Sequence, residues 1–258
     1  MATEGTTLER PSTQTAAVRP SRQGWTAPWW LYPATVVVGL GLFSIYGLWT
    51  SLIGGTSSFG PYLSPFYSPQ IWTSGPVSPA LWVLWIPLSF RATCYYYRKS
   101  YHRAFFWDPP ACAVPELRKR PYKGETRFPL ILSNLHRFTW YLVVIVLGFL
   151  WYDVARALIY HGHWYLGLGT GIMLVNVLLL TGYSFGCHSF RHLMGGGLDC
   201  YSCSAFKKAR KTTWRSITRF NTHHAAWAWA SMISVVAVDL YIRLLQWGVF
   251  VDPHFLLG

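Results

Sequence analysis

Residues Gly182–His192 read GYSFGCHSFRH and place a cysteine, two histidines and an arginine at the end of an apolar run, WYLGLGTGIMLVNVLLLTGYSFG. Ionisable side chains are costly in hydrocarbon, and those found there usually pair or serve a function. The chain carries more of the same chemistry: Cys94 in RATCYYYRK, His136 in LSNLHRF, and His223 and His224 in RFNTHHAAWAW. Imidazole with thiolate is the ligand set of zinc or of a mixed Cys/His iron–sulfur centre, whereas two imidazoles alone suit a haem b iron. No linear motif joins these residues, so the chemistry depends on what the fold brings together.

The elements that must do so are membrane helices. The 258 residues are 52% hydrophobic and only 12% charged, about half the charge of a soluble domain. No Lys, Arg, Asp or Glu occurs from Gln23 to Phe90, from Ala157 to Phe190, or from Phe220 to Val238. A crossing helix needs roughly 20 apolar residues, which predicts five spans: Trp29–Ile53, Ala80–Tyr97, Leu132–Leu158, Trp164–Phe190 and Phe220–Trp247. The third contains Arg137 and Asp153 and spans only with both near the interfaces. The expected fold is therefore all-α: a five-helix transmembrane bundle over 29–258 after a flexible polar tail at 1–28.

The net charge of +13 does not point to nucleic acid, because its placement is topological. Nine basic residues lie between Arg91 and Arg127, seven between Arg191 and Arg219, and three in the N-terminal tail. The loops on the other side, GGTSSFGPYLSPFYSPQIWTSGPVSP and IYHGHW, carry no charge. Lys and Arg collect in cytoplasmic loops, so the N-terminus is expected inside and the C-terminus outside. Basic loops at about 98–128 and 191–219 orient the chain and attract anionic lipid. The first is long and Pro-rich, which also suits docking of a soluble partner.

This topology gives the Cys and His residues a common depth. Spans two and four end inside with Cys94, Cys187 and His188; spans three and five begin inside with His136 and His224. All five fall within about two turns of the inner surface at ~1.5 Å per residue. Any one of them alone reads as packing, since a lone cysteine behaves as a small buried hydrophobe. It is the shared level that argues for a site. Cys200 and Cys203, a CxxC in the second basic loop, offer a zinc site with His188 and His192 as a lesser reading, and cytoplasmic placement argues against structural disulfides.

At the outer end, Asp153 with Arg156 and Asp239 with Arg243 have helical spacings that pair acid with base on one face. Each pair either neutralises itself at the interface or marks a proton route. The nearby PYLSPFYSP offers Tyr62, Phe66 and Tyr67 as flat surface for a quinone ring.

The blocks RATCYYYRKSYHRAFF, PPACAVPE, YKGETRFPLILSNLHRF, YSFGCHSFRHLMGG and FNTHHAAWAW resemble the fused five-span membrane anchor of actinobacterial-type succinate dehydrogenase. The resemblance runs over most of the chain from about Trp29. It implies a subunit of a succinate:quinone oxidoreductase in the bacterial plasma membrane. The iron–sulfur subunit would dock on its cytoplasmic face, with the flavoprotein beyond, and the flavin and succinate sites would lie on those partners. It also implies a Rieske-type [2Fe–2S] centre with Cys94 and Cys187 as thiolates, imidazoles drawn from His136, His188 and His224, and a quinone, menaquinone or ubiquinone. The quinone would lie either outside, near Tyr62, Tyr67, Asp153 and Asp239, or inside, near Arg137 and Trp140. Two alternatives stand: haem b between two of the histidines, and a zinc-stabilised scaffold or transporter without electron transfer. Against transport, the spans show no paired broken helices in matching halves.

Overall fold

The computed structural model describes residues 27–71, 78–107, 114 and 124–257. The expected tail up to residue 26, the outer-loop stretch 72–77 and most of the Pro-rich docking loop, Cys112 included, lie outside the described residues. Among the described residues the α-helices are α1 (Leu31–Leu52), α2 (Pro79–Thr93), α3 (Tyr95–Phe106), α4 (His136–Leu158), α5 (Leu168–Phe185), α6 (His188–Gly195), α7 (Ala205–Thr222) and α8 (His224–Gln246).

Four segments are long and apolar enough to cross a membrane: Leu31–Leu52, Leu130–Leu158, Leu168–Phe185 and His224–Gln246. They coincide with four of the five expected spans. The fifth, Ala80–Tyr97, is not one helix. Pro87 removes a backbone donor within α2, and the chain turns extended at Cys94 (φ −64°, ψ 127°) before α3 begins. With 15 residues, α2 is roughly 22 Å long against about 30 Å of hydrocarbon. The fourth span is also shorter than expected, because the helix stops at Phe185 and α6 starts after Gly186 and Cys187.

Side-chain bonds fix the helix directions. Tyr67 donates to the Thr50 and Gly55 carbonyls at the end of α1, Ser68 to Asp153 near the end of α4, and Ser64 to Asp239 in the second half of α8. The C-termini of α1, α4 and α8 thus share one end with the segment that follows α1. α2 and α5 run the other way, ending at Thr93 and Phe185. On α1, Val38, Leu42, Ile45, Leu48 and Leu52 are exposed, as expected of a lipid-facing stripe.

Short strands, not expected from the sequence, close the end where α1, α4 and α8 finish. β1 (Ser58–Phe59) and β2 (Tyr62–Leu63) form a hairpin, with Gly60 at φ 53° in its turn. β3 (Ile159–Tyr160), β4 (His163–Gly167) and β5 (His254–Leu257) form an antiparallel sheet, β4 in the middle. β4 is part of the stretch expected to be helical. Asp252 pins this sheet to the bundle: it is buried and accepts from Tyr62 (2.6 Å), Tyr165 (3.1 Å), the Gly169 amide (3.2 Å) and Tyr241. Burial, and then the Asp252 carboxylate, push the Tyr62 phenol up, so it stays a donor.

The Tyr62 ring lies so close to α5 that a Cβ on Gly169 would meet its Cζ at 2.5 Å. Gly169→Ala is therefore expected to cost about 1–3 kcal/mol through overpacking. Thermal unfolding of the detergent-solubilised protein checks this, and an unchanged midpoint would mean that the Tyr62 ring moves freely.

Candidate functional site

Each of four candidate ligands stands at the start of a helix or at the break before one. Cys94 is the extended residue before α3 and Cys187 the extended residue before α6 (φ −70°, ψ 146°). His136 opens α4 after the 3-10 turn Leu130–Leu135, and His224 opens α8 after the non-helical His223. At Cys94 and Cys187 the extended backbone turns the side chain off the helix surface, into the space where α2, α4, α5 and α8 meet. Cys187 Sγ is 3.0 Å from His136 Nε2, and Cys94 Sγ is 3.5 Å from His224 Nε2. Cys94 and Cys187 are 3% and 1% exposed.

The imidazoles are held by their faces. Phe90 stacks on His136 at 4.6 Å with 5° between planes, and Tyr183 on His224 at 4.9 Å with 17°. Thr93 Oγ1 meets His136 Nδ1 at 3.0 Å. Nδ1 of His224 is buried without a hydrogen-bond partner, a state that costs free energy unless a further group engages it. A cavity of about 630 Å³ is lined by all four residues and by His188, Glu125 and Asn221. His188 itself is exposed at the rim.

Among the described residues no three His, Cys, Asp or Glu side chains converge to hold one metal ion. That arrangement does not suit tetrahedral zinc, which takes four protein ligands at a structural site. Two thiols and two imidazoles around one cavity do suit a two-iron centre, where each iron takes two protein ligands. Haem b would use the imidazoles and leave two buried thiols against the ligating rings.

Beside this cluster lies an apolar cavity of about 460 Å³, enclosed by α1, α2, α4, α5 and α8. Phe90, Arg91 and Tyr183 line it, and two of these three stack on the candidate imidazoles. Its size is that of a small-molecule pocket. Sequence reasoning missed it, because it forms between helices that share no motif.

Of the residues expected beside a quinone ring, Phe66 lines this cavity together with its neighbour Pro65, whereas Tyr62, Tyr67, Asp153, Asp239, Arg137 and Trp140 do not. Tyr62 is bonded to Asp252, and Tyr67 to carbonyls of Thr50 and Gly55. Asp153 accepts from Ser68, while Arg156 is exposed over the Tyr152 ring at 5.9 Å, so the expected Asp153–Arg156 pair does not form. The two lie roughly 60° apart around α4, and the edge of the buried face falls between them, with Asp153 buried and Arg156 exposed. Asp239 and Arg243 do pair, at 2.8 Å. Arg137 is exposed, 3.3 Å from His192 Nδ1, and Trp140 donates to the Ser184 carbonyl at 2.9 Å.

Cys200 and Cys203 form a disulfide with each other, contrary to the expectation of none, and so supply no zinc ligands with His188 and His192. Only two residues separate them, in a bend, which brings the sulfurs together without help from the rest of the fold. Nearby, Arg210 binds the carbonyls of Leu193, Met194 and Gly196 and locks α7 against the end of α6.

Residues 31–248 match the family model described as actinobacterial succinate dehydrogenase subunit SdhC. A search of curated proteins finds no match. Among solved structures, a chain of the Mycobacterium smegmatis Sdh1 complex in the apo form is 34% identical, with a TM-score of 0.82. The match covers 95% of this chain and 98% of that one. With its apolar helices and this match over most of its length, the chain belongs to the actinobacterial SdhC family, the membrane-anchor subunit of succinate dehydrogenase.

Proposed function

We propose that this anchor carries a Rieske-type [2Fe–2S] centre on Cys94, Cys187, His136 and His224, and a quinone in the adjacent apolar cavity. The observation that carries the reading is the meeting of two buried thiols, the buried His224 imidazole and the half-buried His136 imidazole, from four separate places in the chain, around one cavity. When bound, such a centre accepts and passes on single electrons, at a potential that His ligation raises above that of all-Cys clusters.

The chain's own residues do the rest. Phe90 and Tyr183 hold the imidazole planes, and Thr93 fixes the ring of His136 through Nδ1. The same two aromatic rings wall the cavity, so a quinone head there would stand one side chain away from the ligands. Leu48, Leu81, Trp85 and Leu88 line the cavity and are themselves exposed, which suits an isoprenoid tail leaving toward lipid. Menaquinone and ubiquinone both fit this chemistry.

The broken second span completes a five-span topology with the N-terminus cytoplasmic in this reading. The antiparallel run of α2 against α4 supports it, as does the concentration of Lys and Arg at the Cys/His end. The iron–sulfur subunit then docks at that end, with the flavoprotein beyond it, in the bacterial plasma membrane. Arg98 is ion-paired with Glu125 there, tying α3 to the start of the segment before α4.

Metal analysis and EPR of the purified complex test the centre. The expected result is a reduced signal of average g near ~1.9 with iron in excess of the soluble clusters, as His-ligated [2Fe–2S] centres give. A sharp reduced haem band, or zinc without either signal, overturns it. Val146 is buried and lines the cavity. Val146→Trp is expected to lower quinone reduction at least roughly tenfold by filling the pocket, with succinate oxidation by an artificial acceptor retained. Unchanged quinone reduction would place the quinone elsewhere.

A further inference from the structure

Arg91 stands at the last turn of α2, in the wall shared by the cavity and the Cys/His cluster. Its Nη1 donates to Tyr97 Oη and to the Ala228 carbonyl (3.1 Å), and its Nη2 to Ser231 Oγ (3.0 Å). Its guanidinium carbon lies 4.7 Å from the ring of Tyr183, which in turn stacks on His224. These partners are neutral. Among the described residues the ion pairs are Arg98–Glu125 and Asp239–Arg243, so no carboxylate balances Arg91.

A cation inside a membrane protein is costly unless something offsets it. Four neutral partners hold Arg91 in place without cancelling its charge. Beyond these partners, the two Cys–His couples lie on one side of it and the apolar cavity on the other, and among the described residues no carboxylate lines that cavity. Whatever negative charge offsets Arg91 must therefore arrive on one of those two sides.

Resting on the reading of the site given above, we infer that Arg91 is its electrostatic positioning residue. It is a fixed positive charge that favours the reduced, more negative form of the membrane centre and orients the polar head of the quinone toward it. Arg91 exchanges no proton and ligates no metal in this role. A ferric pair with two sulfides and two thiolates is neutral when bound by two neutral imidazoles, and one added electron makes it an anion. A nearby unscreened cation stabilises that anion by Coulomb attraction, which is strong where water is excluded.

The test uses the intact complex with Arg91→Gln and Arg91→Lys, in a redox titration of the membrane centre followed by EPR. At the ambient potential where half the wild-type centre is reduced, Arg91→Gln is expected to lower the reduced-to-oxidised ratio roughly tenfold. Arg91→Lys, which keeps the charge, is expected to stay within about threefold of wild type. KM for the quinone should rise in both variants, since neither keeps the guanidinium fork. A Gln variant with an intact centre and a wild-type ratio overturns the inference. So does a Lys variant that falls as far as Gln, which would mark a purely structural role.

Should Arg91→Gln fail to assemble, Ser231→Asp sets a carboxylate against the same guanidinium, and the ratio is expected to fall in the same direction. An unchanged ratio there overturns the inference as well. Failure of the underlying reading looks different: the wild-type complex would then show no membrane centre to titrate.

Discussion

Cys187→Ser is expected to abolish the membrane centre while leaving the succinate-oxidising partners intact. Cys187 is 1% exposed and stands 3.0 Å from His136, at the turn between α5 and α6. Serine fits the same corner, so the backbone has no reason to move, but its oxygen is a poor substitute for a soft thiolate. The expected readings are loss of the reduced EPR signal, loss of about two iron atoms per complex, and a fall in quinone reduction on the order of 100-fold. Succinate oxidation with an artificial acceptor should persist. A variant that keeps a normal haem spectrum and full quinone reduction would falsify the ligand assignment, because a haem between His136 and His224 has no use for this sulfur. Cys94→Ser should reproduce the effect, since Cys94 holds the matching corner between α2 and α3.

The fold was legible wherever apolarity runs unbroken. α1, α5 and the first half of α8 follow from charge-free stretches and α4 from the apolar middle between Arg137 and Asp153, and the depth argument that grouped Cys94, His136, Cys187 and His224 needed only the order of spans. It also admitted His188, one residue past Cys187, which the turn sends to the rim. Hydropathy averages over a window and is blind to a single extended residue, so the breaks at Cys94 and Cys187 were not visible. Those breaks are what aim the thiols inward. The β3–β4–β5 sheet escaped for another reason: strands of two to five residues leave too little periodicity to detect. Asp252 escaped with it, although it is the one acid after Arg243.

The pocket proposed here for a quinone was the least legible part. Tyr62, Tyr67, Asp153 and Asp239 were attractive as polar groups near a stiff aromatic loop, yet each is occupied by a partner in its own chain. A polar residue seen in sequence carries no sign of whether its hydrogen bonds are already spent. The 460 Å³ cavity takes only Pro65 and Phe66 from that loop and is otherwise built largely from Leu, Val, Phe and Trp on five helices, residue types that read as lipid-facing filler.

Asp239 follows from the same accounting of partners and leads to the second large effect. Its carboxylate is fully buried and accepts from Arg243 Nε at 2.8 Å, from Tyr46 and from Ser64. Arg243 continues the network to the Gly54 and Gly55 carbonyls and to Tyr67, and lies 4.7 Å from the Trp49 ring. One ion pair therefore clamps α8 to the end of α1 and to the segment that follows it. Asp239→Asn leaves the guanidinium buried with its charge unbalanced, and breaking such a pair costs about 3–5 kcal/mol. The expected result is a large drop in the thermal midpoint of the complex. The double variant Asp239→Leu with Arg243→Met should be less destabilised than the sum of its single changes, because it removes both charges together. Quinone reduction per assembled Asp239→Asn complex should stay near wild type, since Asp239 does not line the cavity. A stable Asp239→Asn complex that reduces quinone slowly would reverse this assignment and put the carboxylate on the proton route, in place of the clamp.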